Sequence, residues 1–321
     1  MVDPALVGRN VGRRQTEMKE KKEELKTRLE NFRLSNPDVK HVRILVAGQI
    51  GAGKSSFINS VDSAFQGEIV CEAQADNLQS AASHSFTKRL TAYRIRNADA
   101  DLPFEICDVM GLEPQKISEC QPDDIVKTIY GHVREGYKFS EDNPLPSDDE
   151  HYNETPSLSD QAFCLVYVID ANTIHLSADN KIFIEKLRII RQKISDNGIP
   201  QVIVMTKVDE ACPLVSKDLR KIYTSKIIKE RMEICKSIVG VPMTSIFPVK
   251  NYHDEIDTDD DVDVLILKAF DQIQLLCDQD AAVQHVRFFR NPLCFCKRSI
   301  QSESCWENRN TWPWMMFAIG V

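Results

Sequence analysis

The stretch from Val42 to Val61, VRILVAGQIGAGKSSFINSV, limits what this chain can fold into more than any other. It opens with a nearly continuous apolar run, Val42 to Ala47, as a strand buried on both faces requires. It closes with the helix-forming run SSFINSV. Between them stands GQIGAGKS, which has the form G-x-x-x-x-G-K-[ST]. Glycines let the backbone turn tightly and aim several N–H groups at one anion. The helix that follows adds the positive end of its dipole. The candidate phosphate cradle is therefore Gly48, Gln49, Ile50, Gly51, Ala52, Gly53, Lys54, Ser55 and Ser56. Lys54 can reach the β- and γ-phosphates as a point charge and is a candidate catalytic group, while the Ser55 hydroxyl can coordinate Mg²⁺.

Further apolar runs predict strands at Leu90–Arg96, Pro103–Cys107, Phe163–Ile169, Val202–Met205 and Ser245–Val249. Helical patterns lie between the later ones, over Asp179–Ser195 and Thr224–Val239, with a last one over Asp263–Cys277. This alternation predicts an α/β fold: a three-layer P-loop GTPase-like domain with a mostly parallel central sheet. The domain is expected over residues 39–277, with a long, polar, acidic insertion at about 112–160. Before it, residues 1–38 form an N-terminal extension, with a helix predicted over 13–34. Its stripe of Met18, Leu25, Leu29 and Phe32 suits a helix laid on the domain or one that receives a partner. After it, residues 278–321 read as an irregular, atypical tail that holds all three tryptophans and the segment WPWMMF.

Three more motifs follow the cradle in order. In FEICDVMGLE, Asp108 ends a strand and precedes Gly111; the carboxylate suits Mg²⁺ and the Gly111 N–H suits a γ-phosphate. In VIVMTKVDE, Thr206, Lys207 and Asp209 form [NT]-K-x-D at another strand end. The Asp209 carboxylate can accept from N1–H and N2–H₂ of guanine, two donors that adenine lacks on that edge, and the Lys207 stem can cover a purine face. In IFPVKNY, backbone N–H groups from Val249 and Lys250 to Asn251 are placed to meet guanine O6. The cofactors expected are thus GTP or GDP with Mg²⁺. A switch threonine for the metal is harder to locate: Ser85, Thr87 and Thr91 are available, and Thr87, just before the second strand, is preferred as metal ligand and candidate catalytic residue.

Two residues argue for slow hydrolysis. Leu112 directly follows D-x-x-G, where a glutamine would orient water, and Ile50 crowds the cradle where a glycine would leave room. No catalytic residue is thereby identified, and an arginine supplied by a partner would add roughly 10³–10⁵ in rate.

The formal charge of −8 and the lack of a basic face argue against nucleic acid as a partner. No apolar run reaches the roughly 18–20 residues that span a bilayer. The N-terminus has no signal core, so a cytoplasmic location with reduced thiols is expected for the ten cysteines. None of these falls in paired C-x-x-C spacing. A protein partner or self-association is expected but not identified, and WPWMMF offers a weak tail contact with a membrane.

The motifs GQIGAGKSSFINSV, LPFEICDVMGLE, VMTKVDE and FPVKNY together resemble the interferon-induced protein 44 family of vertebrates, over roughly Glu23 to Cys277. The resemblance implies a cytoplasmic, interferon-responsive protein with antiviral or immune roles and a guanine-nucleotide-binding domain. Better-known members carry an additional N-terminal TLDc domain, which this sequence lacks, and the tail after Cys277 is unlike theirs. Three functions stay open at this point, the first two being a slowly hydrolysing GTP switch and a scaffold in which the nucleotide is a fixed structural ligand. An ATPase or kinase is the third, and guanine preference would exclude it.

Overall fold

The structure is a computed structural model that describes residues 4–34, 36, 39–73, 89–97, 100–109, 120–140, 143–174, 181–195 and 198–290. The chain separates into two compact units, Met1–Ala282 and Val283–Val321, and the first holds the sheet and the candidate site. One sheet contains β1 (Val42–Gly48), β2 (Thr91–Asn97), β3 (Ala100–Asp108), β4 (Cys164–Asp170), β5 (Gln201–Thr206) and β6 (Ile246–Pro248), in the order β2-β3-β1-β4-β5-β6. β2 runs antiparallel to β3, and every other neighbouring pair is parallel. All six runs expected as strands are strands, with ends shifted by a few residues. The central ones read as unbroken apolar runs because both faces are covered: every residue of β4 is buried. The edge strand β2 instead alternates, carries Arg94 and Arg96, and has a register shift between them. Charge and a bulge on an edge discourage pairing with another chain.

The helices are α1 (Pro4–Glu30), α2 (Lys54–Gln66), α3 (Cys120–Ile129), α4 (Lys181–Ser195), α5 (Val208–Ala211), α6 (Pro213–Lys217), α7 (Lys226–Val239) and α8 (Asp260–Arg290). Right-handed crossovers put α2, which leads from β1 towards β3, on the opposite face from α4 and α7, which lead from β4 to β5 and from β5 to β6. The packing agrees. α3 lies on α4 and α4 on α7. On the other face, Phe270 of α8 meets Phe65 of α2 edge-on at 6.1 Å and Phe104 of β3 at 5.0 Å. Three layers result, with the apolar core on both sides of the sheet.

Three expectations change in detail. α1 begins at Pro4 and ends at Glu30 rather than spanning 13–34. Leu25 and Leu29 are fully buried against the domain, and Phe32, just past the helix, stacks on Phe104 at 5.6 Å. That stripe is accordingly covered by the protein's own core. α8 starts earlier and ends later than Asp263–Cys277, with Asp260, Asp261 and Asp263 in its first turn facing the positive end of the dipole. The polar insertion, expected as a long loop, contains α3 and is organised by a buried carboxylate. Asp124 accepts hydrogen bonds from the Tyr137 hydroxyl at 2.8 Å and the Leu145 N–H at 2.8 Å, and pairs with Lys127 at 3.3 Å. These charge-assisted bonds add to the apolar burial of Ile125, Ile129, Val133, Phe139 and Leu145 in the same segment.

A second buried carboxylate ties β1, β3 and the Leu158–Asp160 turn together. Glu105 is held by Arg43 Nε at 2.7 Å, with His41 Nε2 at a longer 3.5 Å, and Arg43 also donates to the Asp160 carbonyl at 2.9 Å. Burial alone would raise the Glu105 carboxyl, but His41 and Arg43 outweigh it and hold it at about 2. A carboxyl depressed on folding stabilises the protein above its unfolded value, near 4.5, and that contribution is lost as pH falls towards 2. At 1.36 kcal/mol per unit the contribution is about 3 kcal/mol at neutral pH. Glu105→Gln is therefore expected to lower stability towards denaturant at pH 7, with the difference shrinking below about pH 4.5 and vanishing only below about pH 2. A stability difference that stays constant from pH 7 to pH 3 would contradict this.

Candidate functional site

The candidate residues that the structure describes gather at the carboxyl ends of the parallel strands. The chain leaves β1 for one side of the sheet and returns to β4 on the other, so a crevice opens beyond the end of β1. Gly48 closes β1 where a Cβ would collide with the Val168 carbonyl oxygen of β4. Gly51 and Gly53 have φ of 72° and 88°, the left-handed region that side chains disfavour. The loop between them is tight: the Ala52 N–H donates to the Gln49 carbonyl at 3.3 Å. Ile50 is half-buried at its turn. α2 starts directly at Lys54, and Ser56 sits in its first turn with its carbonyl capped by Ser60 Oγ at 2.7 Å.

Lys54 is 3% exposed, and its amine donates to the Gln49 carbonyl at 3.2 Å, across the loop that it follows. Ser55 Oγ donates to Asp108 Oδ2 at 3.0 Å, where the ends of β1 and β3 pair in register. The Ser55 hydroxyl and the Asp108 carboxylate, far apart in sequence, thus form one set of hard oxygen donors. Their separation is close to the roughly 2.9 Å between neighbouring oxygens of an octahedron with bonds of about 2.05 Å.

The second half of the crevice is built from β5 and the turn after β6. Thr206 ends β5 and is buried; its hydroxyl donates to the Ala52 carbonyl at 2.6 Å, with the Ile169 carbonyl at 3.3 Å. Lys207 follows with φ of 55°, the one positive φ outside glycine among the described residues. Its amine pairs with Asp170 Oδ2 at 2.9 Å, which lays its stem along the end of β4. Asp170 Oδ1 in turn accepts from the N–H and side-chain amide of Asn172, at 2.7 and 3.0 Å. Asp209 lies half-buried in the first turn of α5.

The turn after β6 corrects one expectation. The Val249 N–H donates to the Met205 carbonyl at 2.8 Å, so the β5–β6 ladder takes it and it does not point to a ligand. Lys250 is paired with Glu255 at 2.6 Å. Burial alone would raise the Glu255 carboxyl, but the His253 N–H and Lys250 outweigh it and hold it at about 2. Asp170, which motif reading did not single out, and the side chain of Asn251, of which only the backbone N–H was expected to act, come forward instead. Asp170 positions Lys207, and its place at the carboxyl end of a parallel strand was the available signal. The side chain of Asn251 donates to the Gly53 carbonyl at 3.0 Å, for which no sequence pattern exists. Thr87, Gly111 and Leu112 lie outside the described residues.

No family model matches the chain. It is 30% identical over 263 residues to human interferon-induced protein 44, an alignment that takes in 80% of this chain and 58% of the relative. It is 30% identical over 244 residues to human interferon-induced protein 44-like, taking in 75% of this chain and 52% of the relative. The resemblance read from the motifs therefore holds: the curated homologues carry these names. The chain spans about half the length of the curated relatives it matches. Among solved structures, a probable GTP-binding protein, engB, is 15% identical with a TM-score of 0.36, over 77% of this chain and 99% of its own. The fold assignment rests on strand order and loop geometry, not on that overlap.

Proposed function

We propose that this chain is an interferon-induced P-loop protein that binds a guanine nucleotide with Mg²⁺ and hydrolyses GTP slowly or with a partner. One observation carries this reading: the Thr206 hydroxyl donates to the Ala52 carbonyl at 2.6 Å, so the turn bearing Asp209 is tied to the loop bearing Lys54. A base selector and a phosphate cradle held together in this way suit one nucleotide. In this reading the N–H groups of the cradle and the Lys54 amine hold the phosphates, Ser55 and Asp108 hold the metal, Lys207 covers the base, and Asp209 selects guanine. Bound Mg²⁺ would neutralise charge on the β- and γ-phosphates. The interferon link is supported by the names of the homologues. An antiviral role in the cytoplasm, exercised through a protein partner or a second copy, belongs to the same proposal. No described helix is long and apolar enough to cross a membrane.

Calorimetric titration of the full chain with GTP and ATP in the presence of Mg²⁺ tests the binding. GTP is expected to bind and ATP to bind far more weakly; equal affinities would sink the guanine assignment. Lys54→Ala is expected to weaken GTP binding about 100-fold, since hydrogen bonds to charged groups reach about 3 kcal/mol. Multiple-turnover phosphate release then separates the switch from its alternative. Ile50 and Leu112 favour slow release, and no release above the Lys54→Ala control, alone or at high protein concentration, would leave the nucleotide-stabilised scaffold as the function.

A further inference from the structure

Asn251 holds the phosphate loop from outside the loop. Its Nδ2 donates to the Gly53 carbonyl, which also accepts the first bond of α2 from the Phe57 N–H at 2.9 Å. Thr206 fixes the preceding carbonyl, Ala52. In a trans peptide unit the C=O and the next N–H point in opposite directions. Pinning the Ala52 and Gly53 carbonyls therefore aims the N–H groups of Gly53 and Lys54 to the other side, where an anion would sit. The amide of Asn251 is not simply satisfied by its surroundings: its Oδ1 is buried and meets no hydrogen-bond donor among the described residues.

The residue that follows anchors this clamp. The Tyr252 N–H donates to Ser60 Oγ of α2 at 2.9 Å, and its hydroxyl donates to Asp263 Oδ1 of α8 at 2.7 Å. Asp263 is buried, and its other oxygen lies 2.7 Å from the amine of Lys22, which comes from α1 and also meets Asp260 at 3.1 Å. A continuous set of polar contacts thus runs from the N-terminal helix to the phosphate loop.

We propose that Asn251 is a positioning residue for bound nucleotide, and that α1 sets it through Lys22, Asp263 and Tyr252, so that a helix outside the cradle governs nucleotide affinity. This rests on the guanine-nucleotide reading above. Tyr252 links the two ends because its backbone is bonded to α2 while its ring end is bonded to α8. Loss of either bond lets the Asn251 amide leave Gly53 and disorders the N–H groups that it aims.

The test is titration of the full chain and its variants with GDP and Mg²⁺, alongside thermal unfolding without nucleotide. Asn251→Ala is expected to weaken GDP binding about tenfold, and Asn251→Asp as strongly, because a carboxylate cannot donate to the Gly53 carbonyl. Tyr252→Phe and Lys22→Met are each expected to weaken it about fivefold. In the Lys22→Met, Asn251→Ala double variant the losses are expected to fall short of their product, since both act on one clamp. Tyr252→Phe keeps the ring and carries the test of the relay where Lys22→Met fails to fold. Variants that melt earlier but bind GDP as the wild type does would overturn the inference, because they would reveal a purely structural role. A wild type that binds neither GDP nor GTP would overturn the nucleotide reading itself, and this inference with it.

Discussion

Asp209→Asn is expected to turn a guanine site into a xanthine site. In the proposed site the carboxylate would accept from N1–H and N2–H₂ of guanine; asparagine keeps one acceptor but presents an N–H₂ group to the second donor. Xanthine has a carbonyl at C2, so the amide can accept from N1–H and donate to that oxygen. Asp209 is half-buried in the first turn of α5, behind the left-handed Lys207 that turns the chain out of β5. In such a position, replacing a charge-assisted bond by two opposed donors costs about 3 kcal/mol, or roughly 100-fold in GTP affinity. Competition between XTP and GTP for the variant reads the change directly. Unchanged GTP affinity would mean that Asp209 does not face the base.

Phe270→Ala is expected to remove about 3–5 kcal/mol of stability, the range for deleting a fully buried aromatic side chain. Phe270 is fully buried and meets both Phe65 and Phe104, so it joins α8 to α2 and to β3 at one point. The ring contacts add to the area term, and the space left behind is bounded by a helix and a sheet that cannot both close on it. Urea unfolding, with Ile256→Ala as the comparison, gives the measurement. Ile256 is 90% exposed, and its truncation should change stability by no more than about 0.5 kcal/mol. A loss below about 1 kcal/mol for Phe270→Ala would show that the layer repacks around the gap.

The strands were legible because a buried parallel strand leaves a local mark, an apolar run closed by a turn, as in FCLVYVID before Ala171. The cradle was legible because glycines at left-handed positions and a lysine at a helix start are needed by the loop itself. The 112–160 insertion was not. Its composition is polar, and the carboxylate that organises it, Asp124, works through Tyr137 and Leu145, which lie 13 and 21 residues away. Val249 was misjudged for a related reason. Motif spacing showed that its N–H lay near the strand end, but strand pairing decided that the Met205 carbonyl takes it.

By itself the sequence determined the order of the six strands and of the helices other than α3, α5 and α6, the strand–loop–helix of the cradle, and which side-chain chemistry stands at each strand end. These follow from backbone conformation and side-chain periodicity, which short stretches specify alone. The tertiary structure decided which of those groups meet. Ser55 with Asp108, Thr206 with Ala52, and Asn251 with Gly53 are separated by 53, 154 and 198 residues. Such hydrogen bonds depend on strand order and register to within a fraction of an ångström, and no local pattern records either. The buried link from Lys22 through Asp263 to Tyr252 exists because α1 and α8 pack on the same face of the domain, a consequence of burying Leu25, Leu29 and Phe270 together.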